Sequence, residues 1–225
     1  MTSNLKALGL ALVAVSAMSA TWVSAAQATE GVFEWETGAT ELTATSEIAG
    51  HGHLFKMTGS RSFECDNVRM TVNLPAGTRA TAFETNSSTY NDIVLGEDQC
   101  TGVLGIKQKI TMNGCQYRFH AGESLKEGET RGTVDIVCPA GKEITTDSAL
   151  CTINIPPQRG LSHVTYRTIE EEGKKEDITI ELAVSNIKYK HTGFCGNGGG
   201  ANGSYIGNLT VVGENGGKPK HVTVT

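Results

Sequence analysis

The stretch EDITIELAVSNIKYK, residues 176–190, decides how the chain is read. Ile178, Ile180, Leu182 and Val184 alternate with polar neighbours, which is the period-two mark of a strand with one buried face. Ile187 and Tyr189 then continue the apolar series on odd numbers, so the phase slips by one. One extra residue near Ser185-Asn186 accounts for the slip, and a β-bulge is expected there.

The same alternation runs outward through the rest of the chain. In RGTVDIVC (131–138), Val134, Ile136 and Cys138 share a face, and Asp135 points away from it. In CTINI (151–155), Cys151, Ile153 and Ile155 do the same. No 3.6-residue pattern of useful length follows the first thirty residues, so little or no helix is expected. In IKQKITMNGCQYRF (106–119), Asn113-Gly114 signals a type I′ turn. A two-residue loop would pair Met112 with Cys115, Ile110 with Tyr117 and Gln108 with Phe119, bringing apolar faces together except at Gln108. Many short strands with Gly, Asn and Pro between them imply an all-β fold, an antiparallel β-sandwich. The length of residues 29–225 leaves one large sandwich or two small ones open, with NSSTYND (86–92) as the expected seam.

The N-terminus reads as a signal peptide over residues 1–28. Lys6 is followed by the apolar LGLALVAV (8–15) and then by Ala26-Gln27-Ala28, an A-x-A cleavage pattern. Cleavage after Ala28, or after Ala26, leaves a mature chain with no segment long enough to span a membrane as a helix. All six cysteines (Cys65, Cys100, Cys115, Cys138, Cys151 and Cys195) lie in that mature part. An even count in an exported chain reads as three disulfides, and no close C-x2-C pair suggests zinc. Spacing alone does not choose among the connectivities that six cysteines permit. Pairing of the strands around Cys115 and Cys138 across HAGESLKEGETR (120–131) would set those two opposite each other. Cys65 with Cys100 and Cys151 with Cys195 would then remain.

Composition limits the function. Hydrophobic residues make up 38% of the chain, below the usual range of about 45–50%, so the core is thin and disulfides are expected to compensate. The net charge of −5, with basic residues scattered, opposes a nucleic-acid partner.

The segments MNGCQYRFH, TVDIVCPAGKEI, CTINIPPQRGLSHVTY, DITIELAVSNIKYK and NGSYIGNLTVV, with the leader LKALGLALVAVSAMSA, resemble a family of small exported proteins. That family occurs as many paralogues in soil-dwelling, high-GC Gram-positive bacteria. The resemblance implies an exported β-rich scaffold and brings no activity, ligand or site residue with it. It also implies a host in which N-linked sugars are unusual, so Asn86, Asn202 and Asn208 are expected to be unmodified.

Motifs that carry chemistry are few. GNGGGA (196–201) matches the dinucleotide pattern G-x-G-x-x-G/A, but a strand rather than a helix is expected to follow it, so it reads as a hairpin loop tethered by Cys195. Ser185-Asn186-Ile187-Lys188 fits S-x-x-K without the helix that chemistry needs. His51 and His53 are the candidate metal ligands, since alternation would place both on one side of a strand. Close carboxylates such as Glu34/Glu36, Glu64/Asp66 and Glu170 to Glu172 read as outward faces or turn tips. Tyr90 and Tyr205 are the rings expected to be exposed enough for a sugar platform, and Trp35 shares a face with Phe33 and is expected to be buried. The sequence therefore supports a non-catalytic, secreted binding or structural protein without a cofactor, whose open sheet edges invite self-association. The alternative is a small extracellular metal-binding or hydrolytic protein using His51 and His53.

Overall fold

The computed structural model describes residues 30–46, 52–58, 61–90, 100–102, 105–169 and 177–225. The expected signal peptide (1–28), His51, residues 91–92 of the expected seam and the carboxylates Glu170 to Glu172 lie outside the described residues. Every named element is a strand. The first eight are β1 (Phe33–Trp35), β2 (Glu41–Thr45), β3 (His53–Lys56), β4 (Ser62–Cys65), β5 (Val68–Asn73), β6 (Arg79–Ala80), β7 (Ala82–Glu84) and β8 (Ser87–Tyr90). There follow β9 (Cys100–Thr101), β10 (Lys107–Thr111), β11 (Gln116–Lys126), β12 (Glu129–Val137), β13 (Ile144–Asp147) and β14 (Cys151–Ile155). The last are β15 (Gln158–Ile169), β16 (Asp177–Gly193), β17 (Gly198–Asn215), β18 (Lys218–Lys220) and β19 (Val222–Val224).

All the strand pairings are antiparallel, but the sheet does not form a sandwich. It closes. β16, β14, β13, β10, β9, β4, β3 and β17 pair in that order, and β17 pairs back to β16, giving an eight-stranded barrel. Most of the remaining strands build a second ring on the other half of the same two long strands. β15, β12 and β11 extend from β16, while β2 and β5 extend from β17. The bent segment 82–90 joins them, its first half pairing with β11 and its second with β5. Backbone bonds from Thr85 to Tyr117 and from Asn86 to Thr71 hold the corner.

The bulge inferred from the phase slip lies where one ring gives way to the other. Val184 pairs with Tyr205 and Ile187 with Gly203, so β16 carries one extra residue there. Asn186 takes it up in the left-handed region at φ 61°, which Asn tolerates better than most side chains. The apolar face thereby stays inward on both sides of the joint, and one core runs through both rings.

The Asn113-Gly114 turn forms, with positive φ at both residues and a bond from the Cys115 N–H to the Met112 carbonyl. The hairpin ladder expected to follow it does not. β10 pairs with β13 and β9 in the first ring, whereas β11 pairs with β12 and β7 in the second. The Asn113 side chain donates to the Glu143 carbonyl and to Thr145, which holds the turn against the entry of β13. The chain crosses between rings in the same way from β4 to β5 and from β14 to β15, so the rings are interleaved in sequence. Ser87–Tyr90, within the stretch 86–92, pair with β5 as a strand. Ring closure also removes most of the open edge on which self-association by strand pairing was expected to rest.

Three disulfides tie these strands: Cys65–Cys100, Cys115–Cys138 and Cys151–Cys195. Cys115 and Cys138 face each other just beyond the Gln116–Val137 pair of β11 and β12. A small sheet of β19, β1 and β6 packs against β15 and β16. Its Phe33 is fully buried, edge-on to Tyr166 at 4.9 Å. Trp35 is buried as expected, its indole N–H donating to the Gly77 carbonyl.

Candidate binding groove

The inward and outward faces of the shared ribbon carry different chemistry. On the inward face, at the joint, Gly207 leaves room for the His53 ring, which would lie 2.3 Å from a Cβ at that position. His53 is fully buried. Its Nε2 lies 3.2 Å from the Asn208 carbonyl, and because a carbonyl only accepts, Nε2 carries the hydrogen. Nδ1 therefore accepts from the Tyr205 hydroxyl at 2.5 Å. Tyr90 borders the same cavity as Tyr205 and lies 2.6 Å from the Tyr117 hydroxyl, one of the two phenols donating to the other. Burial lowers the His53 ring to about 4, against the pull of the Asn208 carbonyl in the other direction. Burial likewise raises Tyr90 and Tyr205 well above the ordinary tyrosine value and Tyr117 to about 12.

This cluster is structural in its connections. Both His53 nitrogens are engaged, so a metal would have to displace Tyr205 to find a lone pair. No group of three His, Cys, Asp or Glu suited to a metal occurs among the described residues. Tyr90 and Tyr205, expected as exposed sugar platforms, turn inward instead, because the joint between rings needs large side chains with a polar tip. They border an apolar cavity of about 60 Å³ shared with Phe55, Phe119 and Val184. That volume holds a few waters at most.

The glycine-rich stretch joins β16 to β17 through a short turn, as expected, but Gly198, Gly199 and Gly200 belong to the strand itself. Gly199 is there because a Cβ would meet the Tyr189 carbonyl at 2.5 Å. Ser185 and Lys188 of the S-x-x-K pattern flank the bulge on β16. Asp135 does point outward, yet it is buried. Its carboxylate accepts from the Gly160 N–H at 2.7 Å and lies 3.1 Å from His120 Nε2, so it fills a bulge in β15.

On the outward face the ribbon and its neighbours form a groove of about 570 Å³. Register builds it. Arg131 pairs with Thr165, Thr165 with Glu181, and Glu181 with Asn208, which sets one polar residue on each of four successive strands. One step along, Ala183 pairs with Ile206 and Ile206 with Leu54, so an apolar strip borders the polar row. Ile206 is 48% exposed. His163 stands at the edge with φ 69°, an uncommon conformation for a non-glycine residue that the bulge beside Asp135 imposes. Glu181 is paired with Arg167, which also reaches Glu129 at 3.3 Å. The side chains of Arg131, Thr165 and Asn208 have no hydrogen-bond or ion-pair partner among the described residues.

Alternation in the sequence marks each of these four residues as outward-facing. What it does not contain is the strand order and register that align them.

No known protein family, characterised protein or solved structure matches the chain.

Proposed function

We propose that this is a secreted, non-catalytic protein whose closed, disulfide-tied double ring serves as a rigid support for binding outside the cytoplasm. The observation that carries the reading is the row Arg131–Thr165–Glu181–Asn208, fixed by register across four strands, three of whose side chains have no partner among the described residues. Polar groups held in place on strands lose little freedom when a ligand arrives, which favours recognition. The three cystines support an oxidising compartment, and the A-x-A pattern ending at Ala28 supports export.

The test is to express the full chain in a high-GC Gram-positive host, fractionate the culture and measure intact mass with and without reductant. The expected product lies outside the cytoplasm, begins at Gln27 or Thr29, and gains six hydrogens on reduction. Full-length, reduced protein confined to the cytoplasm would overturn the reading.

A further inference from the structure

The chemistry of the groove narrows what such a protein would bind, and this step rests on the reading just given. We infer that the outer groove takes a carbohydrate chain, laid across the strands with its hydroxyls on Arg131, Thr165, Glu181 and Asn208 and an apolar ring face on Ile206 and Ala183. The polar row offers both halves of hydrogen bonding. Arg131 donates only, Glu181 accepts only, and Thr165 and Asn208 do both. A hydroxylated ring asks for that mixture, because every hydroxyl is donor and acceptor at once.

Other ligand classes fit less well. A phosphate-rich or strongly acidic chain meets the Glu181 carboxylate in the middle of the row and a protein of net charge −5. A cationic ligand meets Arg131. A purely apolar ligand would strip water from four polar side chains without replacing their bonds. An extended peptide usually joins a sheet at a free edge, and the groove lies on the face of closed rings.

The shape agrees with the chemistry. Four strands set the row over three inter-strand gaps, about 14 Å in all, which suits a short oligosaccharide. A sugar ring is polar at its rim and apolar on its C–H faces, and the groove has the same division, with the polar row beside the strip of Ala183, Ile206 and Leu54. Ile206 does here what an aromatic platform does in other sites, with a smaller contact area.

The experiment uses the mature, disulfide-intact protein. Cellohexaose, xylohexaose, mannohexaose and chitohexaose are titrated calorimetrically, and the parent insoluble polysaccharides are used in pull-downs. Asn208→Ala and Ile206→Ser are run in parallel with their thermal midpoints, both positions being on the outer face. The expected result is saturable binding of at least one of these glycans, about tenfold weaker in each variant at unchanged thermal midpoint. A glycan that binds the protein and both variants equally would overturn the assignment to this groove. Failure of every glycan would overturn the carbohydrate class. Neither result bears on export and oxidation, which the fractionation and mass measurement test separately.

Discussion

The two rings are stabilised by different means. The first closes through short strands, and its interior holds polar groups. Gln108 is buried with its amide donating to the equally buried Thr146, and His53 lies at its lower end. Two of the three disulfides, Cys65–Cys100 and Cys151–Cys195, tie this ring. The second ring has the long strands β12 and β15 and a dense aromatic and aliphatic interior. Phe33, Val164, Tyr166 and Ile180 are all fully buried there. Its one disulfide, Cys115–Cys138, sits at the joint. The first ring has fewer buried apolar residues than the second, and covalent ties make up the difference. This division of labour lets a chain with 38% hydrophobic residues fold. Its apolar residues are concentrated in one ring and its cysteines mostly in the other.

That contrast can be broken from either side. Replacing Cys65, Cys100, Cys151 and Cys195 by serine opens loops whose ends are 35 and 44 residues apart, and each lost bond is expected to cost about 4 kcal/mol in denaturant unfolding. The unfolding curve of that variant should become biphasic as the first ring separates from the second. In the second ring Tyr166→Ala is expected to cost about 4 kcal/mol as well, but with a single transition, because its core carries both rings. A biphasic curve for Tyr166→Ala and a single one for the cysteine variant would invert the comparison.

Acid sharpens the contrast at the joint. The buried His53 ring titrates at about 4 in the fold and at 6.5 when free. As pH falls from 6.5 towards 4, the unfolded chain takes up a proton that the folded ring refuses, so stability drops by up to about 3 kcal/mol. Stability measured against pH should show this slope, and His53→Gln should flatten it. A smaller effect of the same kind is expected for Gly207→Ala. Its methyl group would press on His53 Nδ1 and cost about 1–3 kcal/mol, seen as a lower thermal midpoint.

The sequence showed local facts and hid global ones, for a physical reason. Alternation is a property of a few neighbouring residues, so the strands were legible. The Asn186 bulge was legible too, because one inserted residue reverses phase for everything after it. The Asn113-Gly114 turn was legible in its own geometry. The fate of its two flanking strands was not, because β10 and β11 find their partners in β13 and β12, well beyond the turn. The burial of Tyr90 and Tyr205 was missed for the same reason. Their positions near loops said nothing of the joint that encloses them. The groove depends on three successive strand registers, none of which is written in any single strand. Ring closure itself, which replaced the expected sandwich, depends on β16 and β17 being long enough to serve two rings. Their lengths of 17 and 18 residues follow from alternation only if the bulge and the run of glycines are read as strand.

The measurement closest to the central claim is amide hydrogen exchange, read peptide by peptide, with the disulfides intact and then reduced under native conditions. Reduction is expected to release the amides of β3, β4, β9, β10, β13 and β14, while β12, β15 and the Asp177–Leu182 half of β16 keep their protection. Equal loss in both rings, or earlier loss in the second, would contradict the division between a ring held by cystines and a ring held by its core.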